Sequence, residues 1–462
     1  MLIKQLLQAL WLRLKPGKNL LIIVALLSLL GVIMAIWTEL QWLWTISVAI
    51  VMVMLLWDLL RVYSIQSLRI ERDAPGKMSL GLWHDVTLTL HYKASATALF
   101  MQELQVKVFD LYPVNCEFRY LPRKMTLKSN QWASLEYQVK PLKRGNEQFQ
   151  GVQCLIDSPW HFWQRNVHID APFSAMVYPN FAAISQYALL ATENRLSQLG
   201  IRKIRRRGEG MDFHQLREYR EGDSLRQIDW KATARLRKLI SREYQDEKDQ
   251  EILFLLDCGR RMLSQDDELS HFDHTLNAML LLSYVALHQG DAIGFSTFGT
   301  ANNEQGEHNS ERWFPARKGM ATLQSLLNNV YDLHASTVTP DYTQAVTQLL
   351  RRQKKRALII VLTNLRDEDS HDLQNAIQLL KRKHLVVLAS LKEQALDRVL
   401  ADTVNDFSDA LLLAATCDYQ NQRKKMFENL HARGVNYLDV TPDKLAIHLV
   451  NRYLDIKSSG LL

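Results

Sequence analysis

The chain has 462 residues, 47% of them hydrophobic, and a formal net charge of +7. This length exceeds one ordinary core and predicts two or three domains, and the positive charge suits an anionic membrane surface or a nucleic acid. The four cysteines lie far apart and form no CxxC pair, which argues against a zinc site or a redox dithiol and indicates a reducing compartment. They are Cys116, Cys154, Cys258 and Cys417.

Two long uncharged runs near the N-terminus predict two membrane-spanning helices. They are NLLIIVALLSLLGVIMAIW (19–37) and WLWTISVAIVMVMLLW (42–57), and the second stays apolar to residue 60 apart from Asp58. A helix of the longer run would be roughly 28 Å long, close to one bilayer core. The alternative is a buried helical hairpin of a soluble domain. Because only TELQ (38–41) separates the runs, residues 19–60 are expected to form a tight transmembrane hairpin with both chain ends on one side.

Basic residues flank this hairpin at its two chain ends, and the linker inside it has none. They are Lys4, Arg13, Lys15 and Lys18 before the first run, and Arg61 and Arg69 after the second. The positive-inside rule therefore places both termini and the soluble domains in the cytoplasm. Residues 1–18 are expected to lie on the cytoplasmic membrane face, with 1–15 (MLIKQLLQALWLRLK) as an amphipathic helix.

Alternating apolar residues predict a β-sandwich over residues 64–180. In HDVTLTLHY (84–92) the alternation puts Val86, Leu88 and Leu90 on one face, and Gly, Pro, Asn and Lys cluster between such runs. Several short strands at this spacing indicate an all-β sandwich. The domain contains no cluster of acids, histidines or cysteines that suggests chemistry, so it is predicted to be a structural or interaction module.

A charged segment, residues 200–250, follows and permits three interpretations. Its basic run RKIRRR (202–207) could bind phosphates, but the run holds no interleaved aromatic residue of the kind that nucleic-acid platforms use, so no nucleic-acid partner is expected. Farther along, the two signs alternate closely, which favours an internal lattice of ion pairs. A docking face for a protein partner is the third interpretation.

The interpretation of this segment as a lattice of ion pairs predicts which side chains pair. The expected pairs join Glu218 to Arg217 or Arg220, Asp223 to Arg226, and Asp229 to Lys231. Asp229 and Trp230 are expected to act together as an anchor, with the indole ring buried and the carboxylate hydrogen-bonded to a neighbour.

The same segment carries a long spaced series, GxDFxxLRxYxxGDxxRxIDWxxxAR. Its positions are Gly210, Asp212, Phe213, Leu216, Arg217, Tyr219, Gly222, Asp223, Arg226, Ile228, Asp229, Trp230, Ala234 and Arg235. The series resembles the signature of the bacterial membrane proteins catalogued as domain of unknown function 58. RG (144–145), DSPWHF (157–162) and VYP (177–179) also look like that family, so the resemblance covers almost the whole chain.

The resemblance implies a bacterial inner-membrane protein with several spans and a C-terminal domain similar to von Willebrand factor A domains. It also implies a partner, an AAA+ ATPase of the MoxR type, and a chaperone-like role in assembly or envelope maintenance. The signature residues, among them Asp212, Tyr219, Asp223, Arg226 and Arg235, would then dock a partner or support the fold.

Apolar strands alternate with helical stretches after residue 250. The predicted strands are 252–256, 292–298, 357–363, 385–390 and 435–440, and the predicted helices are 271–288, 320–333, 341–354, 371–382 and 441–454. This alternation indicates a doubly wound, mostly parallel sheet of the Rossmann type over residues 251–456. Thr339 is predicted to cap a helix whose first turn contains Pro340.

Polar residues fall at the carboxyl ends of these strands, where such sheets bind their ligands. A von Willebrand A metal site needs Asp-x-Ser-x-Ser, a later Thr and a later Asp, and such hydroxyl and carboxylate ligands suit Mg²⁺. By resemblance this chain keeps Asp257 and Thr339, whereas Gly259, Arg261 and Asn364 occupy the other three positions. The expectation is therefore no bound metal, with Arg260 or Arg261 pairing with Asp257 in its place; Mg²⁺ binding is the alternative.

No nucleophile elbow, phosphate loop or HExxH motif is present, so neither a catalytic residue nor a cofactor is predicted. The sequence favours a membrane-anchored cytoplasmic scaffold or adaptor. One alternative is a protein-binding module of the adhesion type that depends on a divalent metal. The other is an enzyme with an unrecognised site that would involve Asp223 or Asp229. The sequence leaves the oligomeric state open.

Overall fold

The structure is a computed structural model of the chain. It describes residues 14–36, 41–63, 65, 68–93, 103–180, 212–220, 225–245, 250–266, 269–300, 311–366 and 370–460. The chain divides into two compact units, Met1–Tyr178 and Pro179–Leu462. The predictions for residues 1–13, for the turn at 37–40, for the basic run 202–207, and for Gly222 and Asp223 lie outside the described residues.

The first unit begins with two apolar helices, α1 (Lys18–Ile36) and α2 (Gln41–Tyr63). Among the residues that the structure describes, α2 is the one helix found to be both long and apolar enough to cross a membrane. The prediction of two spans is thus supported for one helix. Only 6% of the apolar window of α2 is buried, which is unlike the core helix of a soluble domain.

Ten strands make up most of the rest of the first unit in the residues that the structure describes. They are β1 (Leu14–Pro16), β2 (Leu68–Asp73), β3 (Lys77–Ser79), β4 (His84–Tyr92), β5 (Glu103–Asp110), β6 (Cys116–Arg119), β7 (Arg123–Lys128), β8 (Trp132–Pro141), β9 (Gly145–Asp157) and β10 (Trp163–Tyr178). One sheet has the order β1-β10-β9-β5-β7, with β3 beside β10, and the other has the order β2-β4-β8-β6. All the pairs are antiparallel except β3 with β10. In β4 the predicted apolar face is confirmed, since Val86, Leu88 and Leu90 are fully buried.

Strand β1 corrects the prediction of an amphipathic helix that reaches residue 15. Leu14 pairs with Arg165 and Pro16 with Trp163 in the antiparallel ladder of β1 and β10. Gly17 follows at a position where an added Cβ would lie 2.0 Å from the carbonyl oxygen of His161, so only glycine fits there. The backbone before α1 is therefore attached to the β domain, which is the part of the first unit formed by strands β1–β10.

A buried ion pair joins the two sheets of the first unit. The Arg72 guanidinium, on β2, donates to both carboxylate oxygens of Asp110, on β5, at 3.1 and 2.5 Å. The hydroxyl of Tyr137, on β8, also donates to Asp110. Burial, followed by the charge of Asp110, raises the pKa of Tyr137. Because every partner is buried, this network fixes how the sheets pair.

The second unit is built on a six-stranded sheet with the order β17-β16-β13-β18-β19-β20. Its strands are β13 (Glu251–Asp257), β16 (Ala292–Phe298), β17 (Trp313–Arg317), β18 (Leu358–Thr363), β19 (Leu385–Leu391) and β20 (Asn436–Val440). Only β17 runs antiparallel to its neighbour; the other pairs are parallel. The five predicted strands are confirmed, and β17 was missed.

Seven helices accompany this sheet in the described residues. They are α4 (His271–His288), α5 (Ala321–Val330), α6 (Tyr342–Arg352), α7 (Ser370–Lys381), α8 (Gln394–Ala401), α9 (Phe407–Ala432) and α10 (Pro442–Ser458). Helices α8 and α9 were not predicted. The predicted cap at Thr339 is wrong: Asp341 caps α6, because its carboxylate accepts the N–H of Gln344.

The charged segment forms a small element of its own within the second unit. Strands β11 (Asp212–Glu218) and β12 (Ile240–Gln245) pair antiparallel, and the short helix α3 (Trp230–Leu236) lies between them in the chain. A short hairpin of β14 (Gln265–Asp266) and β15 (Leu269–Ser270) precedes α4. Most of the described signature residues lie on β11 and on α3 with the residues just before it.

Candidate functional site

Asp257 ends the central strand β13 and is fully buried. Its Oδ1 accepts the N–H of Gly259 at 2.7 Å, and its Oδ2 accepts the hydroxyl of Thr363 at 2.6 Å. Thr363 ends the neighbouring parallel strand β18 and is also bonded to the Tyr342 hydroxyl at 2.9 Å. Burial raises the pKa of Asp257 to about 6, against the lowering effects of these hydrogen bonds and of Arg261. Both carboxylate oxygens are thus occupied by groups of the chain itself.

The residues around Asp257 do not fit a divalent cation. An added Cβ at Gly259 would lie 2.8 Å from Pro340 Cδ and 2.9 Å from the carbonyl oxygen of Val338, so a serine ligand cannot be accommodated there without movement of the backbone. Arg261 is only 3% exposed and brings a positive charge close enough to lower the pKa of Asp257. The described residues hold no group of three His, Cys, Asp or Glu side chains suited to a metal.

The loop that carries Thr339 runs beside this site. The backbone N–H of Arg260 donates to the carbonyl of Val338 at 2.9 Å, which ties the turn after β13 to this loop. Thr339 itself is exposed, and Leu263 and Val338 are 43% and 38% exposed. The outer face of this edge therefore presents a hydroxyl and two apolar side chains to solvent.

Asn364 follows β18 and is fully buried. Its side-chain amide contacts Glu393 and His271, which the sequence did not assign to this site. Its Nδ2 lies 3.2 Å from Glu393 Oε1 and 3.2 Å from His271 Nδ1. The other ring nitrogen of His271, Nε2, lies 2.9 Å from Asp266 Oδ2. An amide that donates to Nδ1 leaves the proton on Nε2, which then donates to Asp266.

Two arginines complete this polar network. Arg366 donates to Glu393 at 2.9 Å. Arg423, on α9, is buried and donates to the carbonyls of Leu365 and Leu391 at 2.6 and 2.7 Å, and to Asp439 at 2.6 Å. Arg423 thus cross-links the chain at the carboxyl ends of three neighbouring strands, β18, β19 and β20. The network fixes the loops at the carboxyl edge of the sheet, as structural polar networks do.

In the signature segment, the predicted hydrogen bonding of the Asp229 carboxylate is confirmed, but the predicted burial of its neighbour is not. The Asp229 carboxylate caps α3, accepting the N–H groups of Lys231 and Ala232 at 3.0 Å each, and also binds Arg242 at 2.9 Å. The Ala232 N–H, followed by Arg242, lowers the pKa of Asp229. The prediction that the Trp230 ring is buried is wrong, because this side chain is 68% exposed.

The ion pairs of this segment differ from the expected ones. Glu218 pairs with Lys238 at 2.7 Å, on the far side of α3 in the chain, and Asp229 pairs with Arg242. Arg217 donates to the carbonyl of Glu218, the residue that follows it. Both pairs lie within the segment itself, and their exposure limits their contribution to stability. Arg235 is exposed, and nothing is described of the side chains of Asp212 and Arg226.

A second candidate site is the junction of α2 with the β domain in the first unit. The indole N–H of Trp163, the first residue of β10, donates to the carbonyl of Leu55 at 3.1 Å. The Arg165 guanidinium donates to the carbonyls of Val62 and Ile65 at 3.1 and 2.9 Å. The last carbonyls of a helix lack partners inside it, so Arg165 completes the end of α2, whereas Trp163 contacts the helix about two turns earlier.

Near this junction, Asp58 is fully buried. Its Oδ1 accepts the backbone N–H of Trp160 at 3.4 Å, a long bond. Asn19, in the first turn of α1, donates to the carbonyl of Trp160 at 3.0 Å. Both apolar helices are thus bonded to the loop that contains DSPWHF (157–162).

The described parts define a multidomain protein with one helix of membrane length and two largely antiparallel sheets. It also has a mostly parallel α/β sheet whose polar residues at the carboxyl edge are bonded within the chain. A family model described as protein of unknown function DUF58 matches residues 215–434. The family resemblance that the signature indicated is confirmed over those residues, which include most of the signature and nearly all of the α/β sheet.

One curated relative is the uncharacterized protein YeaD of Bacillus subtilis (strain 168). It is 20% identical over 340 residues, which cover 71% of this chain and 77% of the relative.

Two solved structures are similar to parts of the chain. A von Willebrand factor type A protein from Catenulispora acidiphila is 14% identical, with a TM-score of 0.29, over 48% of this chain and 44% of that one. Native α2-macroglobulin from Escherichia coli is 16% identical, with a TM-score of 0.20, over 25% of this chain and 17% of that one. The chain spans less than half of each structure, and likenesses at these TM-scores carry no argument about function.

Proposed function

We propose that this chain is a membrane-anchored scaffold or adaptor that works with an AAA+ ATPase of the MoxR type in chaperone-like assembly or envelope maintenance. In this proposal α1 and α2 form a hairpin in the bacterial inner membrane, and both termini and the soluble domains are cytoplasmic. The basic residues at the chain ends of the hairpin support this orientation.

The β domain would act as a sandwich-shaped spacer, and the α/β domain as a doubly wound module of the von Willebrand A type. The bonds from Trp163 to Leu55 within α2 and from Arg165 to the end of α2 support the spacer role, because they join the membrane segment to the β domain. The parallel order of β16, β13, β18, β19 and β20 supports the second assignment.

The observation that carries the proposal is that both oxygens of the Asp257 carboxylate accept hydrogen bonds within the chain, from Gly259 and Thr363. A metal-dependent adhesion module would need those oxygens for the cation, and an enzyme would need a reactive group that the substrate can reach. Because the Asp257 carboxylate is bonded within the chain, the surface left for binding at this edge is the one that exposes Leu263 and Val338. Exposed apolar side chains suit the binding of a protein.

The membrane orientation can be tested with a native cysteine. Cys417 is exposed, whereas Cys116, Cys154 and Cys258 are buried. A membrane-impermeant maleimide should label the chain in permeabilised spheroplasts and leave it unlabelled in intact ones. Cys417→Ser should abolish the labelling. Labelling of the wild-type chain in intact spheroplasts would place the α/β domain outside and would contradict the proposal.

The partner can be tested with purified proteins. The full chain in detergent should bind the MoxR-type ATPase of the same organism, and Leu263→Asp together with Val338→Asp should abolish binding because both positions lie at the exposed edge. Leu142→Asp, at a residue that is 44% exposed in the first unit, is the matched control and should bind like the wild type. A wild-type chain that does not bind the ATPase would contradict the proposed partner.

A further inference from the structure

Helix α9 extends beyond the core of the second unit. It has 26 residues, and the first buried one is Thr416, so its first nine residues project with α8 as a helical arm. We call residues 399–415 the acidic arm. Its exposed apolar side chains are Leu400, Val404, Phe407, Leu411 and Leu412, and Phe407 is 82% exposed. Apolar residues this exposed and this close together indicate an interaction surface.

The charge of the acidic arm has one sign. It contains Asp402, Asp406 and Asp409 and no lysine or arginine. Asp406 accepts the N–H of Asp409, and Asp409 accepts the N–H of Asn405, so their hydrogen bonds stay within the arm. None of the three forms an ion pair with a cation of the described residues. A partner that covers this surface must therefore supply positive charge together with apolar area.

A cleft opens between α8 and α9 on this arm. Its volume is about 310 Å³, and its lining includes the apolar side chains of Val399, Val404, Leu412 and Leu413 and the carboxylates of Asp402 and Asp409. Aromatic side chains are the usual anchors that fill such clefts at protein interfaces. The cleft therefore suits an exposed aromatic residue with cations beside it.

The signature segment of the same chain carries a surface with these properties. Residues 230–239 read WKATARLRKL, with four cations and no acid, and we call them the basic patch. Trp230, Leu236 and Leu239 are 68%, 57% and 49% exposed. Lys238 is paired with Glu218, whereas Lys231, Arg235 and Arg237 form no ion pair within the described residues. Both surfaces are exposed in one copy, so they do not cover each other.

We propose that the basic patch of one copy docks on the acidic arm of a second copy. Trp230 enters the cleft between α8 and α9, and Lys231, Arg235 and Arg237 face Asp402, Asp406 and Asp409. Because the two surfaces differ, the contact either occurs twice in a two-fold dimer or joins copies head to tail into a ring or a chain. The inference goes beyond the proposed function and needs no ATPase.

The charges provide a test with an internal control for folding. One variant carries Lys231→Glu and Arg235→Glu, and the other carries Asp402→Lys and Asp409→Lys, which leaves the Asp406 cap of α9 in place. The full chain in detergent is studied by sedimentation velocity. The wild type should self-associate, less so at high salt, and each variant alone should associate about tenfold or more weakly because like charges then face each other.

An equimolar mixture of the two variants should recover association, since each reversed surface then meets its opposite. Trp230→Ala should also weaken association, whereas Trp132→Ala, at an equally large side chain 52% exposed in the first unit, should not. Arg382→Glu with Lys383→Glu, two exposed residues outside both surfaces, controls for net charge. A monomeric wild type would overturn the inference and would mean that the basic patch binds a different partner. A mixture of the two variants that fails to associate would overturn it as well.

Discussion

The Thr363 hydroxyl donates a 2.6 Å hydrogen bond to the Asp257 carboxylate, and the two residues end neighbouring parallel strands. A carboxylate at this position of an α/β sheet is well placed for a ligand. Here a hydroxyl of the adjacent strand and the Gly259 N–H occupy it instead. The carboxyl edge of this sheet is therefore stabilised by contacts within the chain.

The first prediction concerns the pH dependence of stability. The pKa of Asp257 is raised from 3.8 to about 6 in the folded chain. Between these values the folded state keeps a proton that the unfolded state has released, so stability falls as the pH rises from 4 to 6 and then levels. The full effect is on the order of 3 kcal/mol at 1.36 kcal/mol per pKa unit.

Asp257→Asn should remove this part of the pH dependence and stay folded, because its amide can still accept from Gly259 and donate to Thr363. Calorimetric unfolding of the full chain in detergent at pH 4.5, 5.5, 6.5 and 7.5 measures the difference between variant and wild type. Asp418→Asn, at an exposed carboxylate, is the matched control. Parallel curves for Asp257→Asn and the wild type would contradict the prediction.

The second prediction is that restoring metal-ligand residues does not restore a metal site. Gly259→Ser, Arg261→Ser and Asn364→Asp together re-create the ligand types, but the added Cβ at position 259 would meet Val338 and Pro340 at 2.9 and 2.8 Å. Such crowding costs typically about 1–3 kcal/mol. Titration calorimetry should detect no Mg²⁺ binding, and the melting temperature should fall.

Gly76→Ser is the control for the glycine substitution, because an added Cβ there meets nothing within 4 Å. It should change the free energy of unfolding by no more than about 0.5 kcal/mol. Saturable Mg²⁺ binding by the triple variant, with no loss of stability, would mean that the backbone still accommodates a cation.

Much of the α/β fold could be predicted from the sequence because its strands are continuous apolar runs. The strand predicted at 292–298 is β16 with the same bounds, and the helix predicted at 271–288 is α4. Strand β17 was missed because WFPAR contains a proline and lies at the edge of the sheet. The α9 helix was missed because the apolar residues of its first half face no core.

The candidate site was less predictable, because its geometry depends on contacts distant in sequence. Asp257 and Asn364 could be placed at strand ends, but the contact of Asn364 with His271 spans 93 positions of the chain. Arg423 could not be assigned to the site, since the helix that positions it was not recognised. Trp230 was expected to be buried because large aromatic residues usually are, and its exposure is itself the signal of an interaction surface.

The third prediction concerns the ion pair between Arg72 and Asp110 in the first unit. Both side chains are buried, and Asp110→Ala would leave the Arg72 guanidinium without its carboxylate. Removing one partner of a buried pair typically costs about 3–5 kcal/mol. The unfolding transition of the β domain, followed by calorimetry, should move to lower temperature by a corresponding amount.

The double variant Asp110→Ala with Arg72→Met should be more stable than Asp110→Ala alone, because no buried charge then remains unpaired. Glu103→Ala, which removes an exposed carboxylate from the same strand, is the matched control and should have little effect. A double variant less stable than the single one would show that the guanidinium stabilises the fold through other contacts.

The last prediction concerns the junction between α2 and the β domain. Arg165 binds the carbonyls of Val62 and Ile65, and its guanidinium lies 5.2 Å from the centre of the Tyr63 ring. Arg165→Ala should leave these carbonyls without their donor, a loss on the order of 1–3 kcal/mol. Hydrogen–deuterium exchange of the full chain in detergent should then become faster at the end of α2.

Trp163→Phe removes only the bond to Leu55 and should cause a smaller increase, centred one to two turns earlier in α2. Arg119→Ala, which removes an arginine stacked on Trp83 at an exposed position of the same unit, should leave α2 unchanged. Because the Arg165 and Trp163 contacts are among the bonds that join α2 to the β domain, unchanged exchange in both Arg165→Ala and Trp163→Phe would mean that the two parts move independently, and the proposed spacer role would fail with it.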